Sequence, residues 1–210
     1  MDEETLVRPE PQLKETGLAA IMVTGVDLEA RKLYLIGDID ENSARNFLIG
    51  LDKLNATEEP VTVVINSGGG EEPSGFAIFD SVCQSPCFII MEGFGAVFSI
   101  AAAIYQAADL RRMAPNATFL IHNGSLHVDG DVQQNSIVER AEEIKKNNRR
   151  YHSILANASN LSYEDIELAC NKDSFYNAEE CLKLGFCDEI IQPLKKRTEK
   201  KPKKKKKKDV

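Results

Sequence analysis

No stretch of this 210-residue chain approaches the ~18 uninterrupted apolar residues that a membrane-spanning helix needs, which excludes a helical integral membrane protein. The first fourteen residues, MDEETLVRPEPQLK, lack the basic-then-apolar order of a secretory signal, so a cytoplasmic protein is expected. Cysteine is scarce and odd in number: Cys83, Cys87, Cys170, Cys181 and Cys187 do not make a paired disulfide framework, and most sit in apolar contexts that suit buried thiols. The three histidines, His122, His127 and His152, show no metal-ligand spacing with Cys83 and Cys87, so no metal and no bound cofactor is expected.

What the chain does have is 42% apolar residues, enough for one domain with a real core. The net charge of −7 hides an asymmetry: Lys195–Val210 holds 11 of the 26 Lys and Arg but only 2 of the 33 acids, which leaves residues 1–194 at −16 (15 basic against 31 acidic). Three segments follow: a flexible arm over 1–17, a folded body over 18–194, and a Lys-rich tail over 195–210. Such a tail is expected to be disordered and solvated, or else to tether the protein to nucleic acid or to an acidic partner.

Within the body, Ile21–Val23 and Lys32–Ile36 read as short strands. Asp40–Leu54 reads as a helix, with Ala44, Phe47, Leu48, Leu51 and Leu54 along one face. Pro60–Ile65 is a β-branched strand followed by Asn66-Ser67-Gly68-Gly69-Gly70 and a helical stretch over Pro73–Val82. Phe88–Met91 is a second strand that stops at Gly93; a loop through Gly95 reaches Ser99, and Ile100–Ile104 has helix-forming composition. Strand, glycine-rich loop and helix thus occur twice, which predicts an α/β fold with a largely parallel sheet. Asn116–His122 is another strand, 131–161 a long helix that overhangs so small a core and invites a second subunit, Ser162–Ala169 and Asn177–Leu184 shorter helices, and Phe186–Ile191 a last strand.

Several stretches could carry chemistry. Ser99 opens a helix, where orphan N–H groups and the macrodipole favour a developing oxyanion; it could equally be an ordinary N-cap. The triple glycine lacks the Lys of a phosphate loop and is followed by Glu71 and Glu72, which leaves a tight turn or a backbone N–H brought close to a substrate carbonyl. His122 ends a strand and is either a hydrogen-bonded structural residue or a general base. His127, near Asp129 and Asp131, and His152, beside Tyr151, are the rival bases; a Ser–Lys pair has no candidate, because no Lys lies between Ser99 and His122.

Taken in order, INSGGG at Ile65–Gly70 with Gly75 and AIFD after it, Gly95 to Ser99, PN with IH at Pro115–His122, Gly130 leading into the long helix, and KDSFYNAEE at Lys172–Glu180 with Gly185 resemble the ClpP family of self-compartmentalised serine proteases. The match runs from about Leu33 to Ile191. The resemblance implies a ClpP/crotonase-like α/β fold whose long helix is a protruding handle. It implies Ser99 as nucleophile, His122 as general base and Asp173 as the carboxylate that orients it, with the backbone N–H groups of Gly70 and Ile100 as the oxyanion hole. Gly69, Val97, Phe98 and Ser125 are the expected substrate-binding positions. Heptameric rings stacked as a tetradecamer are implied too, with ATP entering only through a partner AAA+ unfoldase; at the positions of the family's docking aromatics stand Thr62, Val64 and Gln84. With Glu71 and Glu72 after the glycines and Val97 and Phe98 before the serine, the chain departs from the family pattern as a divergent member would, of phage or plasmid kind. Two other roles remain open to the same residues: a non-catalytic ring subunit that modulates an active partner, and a capsid-maturation-type protease that needs no ATPase.

Overall fold

The computed structural model describes residues 15–125 and 134–192. The Lys-rich tail, His127, Gly130 and most of the 1–17 arm lie outside the described residues; Glu15–Gly17 open the first helix.

That helix, α1 (Glu15–Thr24), contains Ile21–Val23, which the sequence reading made a strand. Three apolar residues in a row do not distinguish the two states. The Ala-rich run before them favours a helix, and Gly25, at φ 70°, ends it by donating its N–H to the Ile21 carbonyl at 2.8 Å.

After the two-residue strand β1 (Val26–Asp27), β2 (Lys32–Ile39) leads into α2 (Glu41–Leu54). Asp40 caps α2 reciprocally with Ser43, and Ala44, Phe47, Leu51 and Leu54 face the core as their spacing requires. β3 (Val61–Gly70) then runs straight through the glycine-rich stretch, α3 (Glu72–Cys83) starts on Pro73, and β4 (Ile89–Phe98) runs on to the residue before α4 (Ile100–Tyr105). The expected loops at Asn66–Gly70 and Gly93–Phe98 are therefore strand. The low strand propensity of glycine argued for loops there, and pairing between neighbours overrides it: Ser67 sits opposite Val97, past a register shift after Ile65.

β5 (Leu110–Met113), which the sequence reading did not find, pairs with the first half of β4, and β6 (Thr118–Ile121) pairs with its second half. After β6 come the long α5 (Gln134–Asn157), α6 (Tyr163–Cys170), β7 (Ser174–Asn177), α7 (Ala178–Leu184) and β8 (Glu189–Ile190). The main sheet has the order β1-β2-β3-β4-β5-β8, parallel except at β1, while β6 pairs antiparallel with β7 off the far end of β4. β4 thus divides at Gly93–Gly95, where Gly95 takes φ 61° and the Asn66 carboxamide oxygen accepts the Ala96 N–H at 3.0 Å. Its far end, carrying Ser99, is thereby set between the main sheet and the β6–β7 pair.

The core is aliphatic, centred on β2, β3, β4 and α4, with one aromatic knot in which Phe119 stacks on Phe186 (centroids 4.8 Å) and meets the Tyr105 ring edge-on at 6.2 Å. Arg111 clasps β5 to the chain before β8 through a two-pronged pair with Asp188, at 2.7 and 3.1 Å. Of the expected buried thiols, Cys87, Cys170, Cys181 and Cys187 are buried and Cys83 is exposed. Burial pushes the Cys170 thiol up to about 12 and Cys187 up to about 11, so both stay protonated. Among the described residues no helix is long and apolar enough to cross a membrane.

Phe119→Ala removes the shared face of the aromatic knot, and a loss of about 3–5 kcal/mol is expected. Urea unfolding followed by far-UV circular dichroism should show a lower midpoint at an unchanged slope; an unchanged midpoint would remove the knot from the account of the core.

Candidate active site

Ser99 occupies the N-cap position of α4 but does not act as a cap: its side chain accepts no helix N–H. Its backbone is at φ 55°, ψ −128°, a region that L-residues other than glycine rarely adopt, and here surrounding contacts impose it. The Ser99 N–H donates to the Leu120 carbonyl of β6 at 2.9 Å, and the Ser99 carbonyl accepts from Ala102 N–H at 2.8 Å and from the Tyr151 hydroxyl of α5 at 3.0 Å. The side chain is thus turned out of the strand-to-helix corner and left free of any capping duty.

Glycine is required beside it. A Cβ on Gly69, at φ 96°, would lie 2.7 Å from Ser99 Cβ and 2.9 Å from the Phe98 carbonyl oxygen, and one on Gly70, at φ 149°, would overlap the Ile39 carbonyl. The glycine backbone therefore approaches the serine as no other residue could. Ile100, the first residue of α4, has an N–H that no carbonyl within the helix can accept.

A cleft of ≈ 480 Å³ gathers Ser99, His122, Gly70, Ser125, Glu71 and Glu72. His122 follows β6 directly, and the antiparallel β7, with Ser174 opposite Ile121, carries Asp173 to it. The imidazole Nδ1 lies 3.9 Å from Asp173 Oδ1, within ion-pair reach but beyond a hydrogen bond; the two side chains are 32% and 67% exposed. No hydrogen bond joins Ser99 Oγ to His122 in the single chain, as is common before substrate binds. Asp173, His122 and Ser99 are thus neighbours in a relaxed row.

The four residues expected to bind substrate separate. Ser125 lines the cleft and Gly69 abuts the serine. Val97 points into the core with 0% exposure, opposite Ser67 and Phe119, and Phe98 meets Phe175 edge-on at 6.0 Å; neither lines the cleft. Their place just before Ser99 in sequence turned on alternation, since successive strand residues face opposite ways.

Sequence reasoning missed the support that α5 gives the segment after His122. Asn148 Oδ1 accepts the Gly124 N–H at 2.8 Å, Asn147 donates to Glu72 at 2.7 Å, and His152 Nε2 donates to Asn123 Oδ1 at 2.8 Å. His152, a rival base on sequence grounds, is 3% exposed, packs edge-on to Tyr163 and does not line the cleft. Tyr151 carried a usable signal: a tyrosine in the apolar stripe of a helix needs a partner for its hydroxyl. Among the described residues no three His, Cys, Asp or Glu side chains cluster so as to hold a metal ion.

Two outcomes follow from this geometry. Gly69→Ala pushes on Ser99 directly, so covalent labelling of the serine by a fluorophosphonate should slow by about tenfold or more, with an unchanged circular dichroism spectrum; unslowed labelling would show that the close approach is dispensable. Burial holds the His152 imidazole below its ordinary value of 6.5, and with Nε2 donating, its Nδ1 has no partner. The unfolded chain then takes up the proton first, so this contribution to stability is complete above pH 6.5 and is lost as the pH falls through the lower folded-state value. Calorimetry should show Tm falling between pH 7.5 and 5 more steeply in the wild type than in His152→Gln.

Residues 15–194 match the Clp protease family. The chain is 34% identical over 167 residues to ATP-dependent Clp protease proteolytic subunit 2 of Pseudomonas aeruginosa, covering 78% of this chain and 82% of that protein. It is 31% identical over 169 residues to the ATP-dependent Clp protease proteolytic subunit of Streptococcus mutans, covering 79% and 86%. Among solved structures, a ClpP1 mutant from Listeria monocytogenes superposes with a TM-score of 0.73 at 27% identity, over 80% of this chain and 94% of that one. With its α/β fold matched over most of its length, the chain belongs to the Clp protease family.

Proposed function

We propose that this chain is a serine-type endopeptidase that hydrolyses peptide bonds of unfolded proteins through an acyl-enzyme on Ser99. The observation that carries the reading is the position of Ser99: strained backbone, uncapped hydroxyl and a cleft shared with His122. Asp173 beside Nδ1 leaves His122 Nε2 as the nitrogen for the serine proton. As that proton moves, Ser99 Oγ bonds to the substrate carbonyl carbon, and the carbonyl oxygen takes the electron pair. The N–H groups of Gly70 and Ile100 are suited to receive that oxyanion, the first next in the chain to Gly69, whose backbone abuts Ser99, the second from a helix start. His122 then returns the proton to the departing amine, the C–N bond breaks, and water, deprotonated by the same imidazole, releases the acid and regenerates the hydroxyl. The scheme calls on no metal and no bound cofactor.

The relatives are named as proteolytic subunits of an ATP-dependent protease. By that kinship this chain works as a subunit of an oligomeric ring, in our reading a heptamer stacked as a tetradecamer through α5, in the cytoplasm, with ATP spent by a separate unfoldase. The 24-residue α5, ~36 Å long, suits such a handle, and exposed Met22, Val23, Ile36 and Ile49 offer apolar surface for neighbours. Assembly is also the natural moment for the relaxed Ser99–His122–Asp173 row to tighten.

A fluorophosphonate probe should label the wild type and not Ser99→Ala, whose peptidase activity should fall by about 10³-fold or more. An assembled ring that takes no label would instead favour a structural subunit. Casein breakdown without added unfoldase and ATP would point to a stand-alone protease.

A further inference from the structure

We propose that the cleft selects substrates bearing a cationic side chain, Lys or Arg, next to the scissile bond, and that Glu71 and Glu72 are the residues that make the selection. The inference rests on the reading of Ser99 as nucleophile and names the substrate class of that same site.

Both glutamates line the cleft that holds Ser99 and His122. At ≈ 480 Å³ the cleft is roughly 8 Å across, room for about two extended residues at ~3.5 Å each, so any side chain that meets these carboxylates belongs to a residue flanking the cut. Neither group is loose: Glu71 accepts the Ser74 hydroxyl at 3.0 Å, and Glu72 accepts the Asn147 amide at 2.7 Å. Both donors are neutral. They orient the carboxylates without cancelling their charge, and among the described residues neither carboxylate is in an ion pair with Lys or Arg. Glu71 and Glu72 stand at the N-cap and first residue of the twelve-residue α3. Two fixed negative charges beside a nucleophile, with Pro73 and Ile144 as apolar walls, attract an ammonium or guanidinium and repel an acidic side chain. A Lys or Arg stem would lie along those walls with its charged end at the carboxylates.

The test uses the full-length protein and short fluorogenic peptides that differ only in Lys, norleucine or Glu beside the scissile bond, since norleucine keeps the Lys stem and removes its charge. Wild type should prefer Lys to norleucine in kcat/KM by about fivefold, the upper scale of an exposed charge pair, and should turn over the Glu peptide least. The preference should shrink at 0.5 M NaCl and collapse toward unity in E71Q/E72Q, whose amides can still accept from Ser74 and Asn147. Equal kcat/KM for Lys and norleucine in the wild type at low salt overturns the proposal even if the double variant fails to fold. So does an unchanged ratio in a folded double variant. Each of these is read while a fluorophosphonate still labels Ser99; loss of that labelling together with loss of all turnover overturns the nucleophile reading, and this inference with it.

Discussion

The site depends on one strained residue. Ser99 is held where an L-amino acid seldom goes, between a strand that ends and a helix that begins without an intervening loop. Three hydrogen bonds from three elements hold it: to the Leu120 carbonyl of β6, from Ala102 within α4, and from the Tyr151 hydroxyl of α5. Strain of this kind costs on the order of 1–3 kcal/mol and persists only where the surroundings over-determine it. Buried α4 supplies that rigidity, since all six of its residues lie in the core.

The same logic explains the glycines. Gly69 and Gly70 are part of a strand, yet each has a positive φ and sits against a neighbour that leaves no room for a Cβ. Gly75, on the first turns of α3, is pressed against Ile100 in the same way, so helix, strand and the Ser99 corner interlock. Close approach of backbone to backbone limits this part of the chain to a residue without a side chain.

The long helix does more than project. Through Asn147, Asn148, Tyr151 and His152 one stretch of α5 touches Glu72, Gly124, the Ser99 carbonyl and Asn123, so it spans the walls of the cleft. The charged residues just before it are exposed, with Lys145 and Lys146 paired to Glu142 and Glu143. A helix that both carries an outer surface and hydrogen-bonds the cleft links that surface physically to Ser99 and to the segment after His122.

Much of this was legible in local pattern. The stripe of α2, the strand-to-helix order around Ser99 and a long helix, read over 131–161 and described over Gln134–Asn157, follow from periodicity and helix-end chemistry, which are properties of near neighbours in the chain, whereas the candidate trio of Ser99, His122 and Asp173 came from the order of motifs shared with the ClpP family. The strand character of the glycine stretch, the helix at Ile21–Val23, the unseen β5 and the core-facing Val97 were decided elsewhere, because pairing and burial depend on residues far away in sequence. So was the role of α5: nothing local tells an asparagine on a polar helix face from one that holds Gly124, since the partner lies 24 positions upstream. By itself the sequence determined which chemical groups were available and many of the elements that carry them; only the tertiary structure, by packing Gly69 where a Cβ would meet Ser99 and by holding the Ser99 backbone with hydrogen bonds from β6, α4 and α5, decided which of those groups meet.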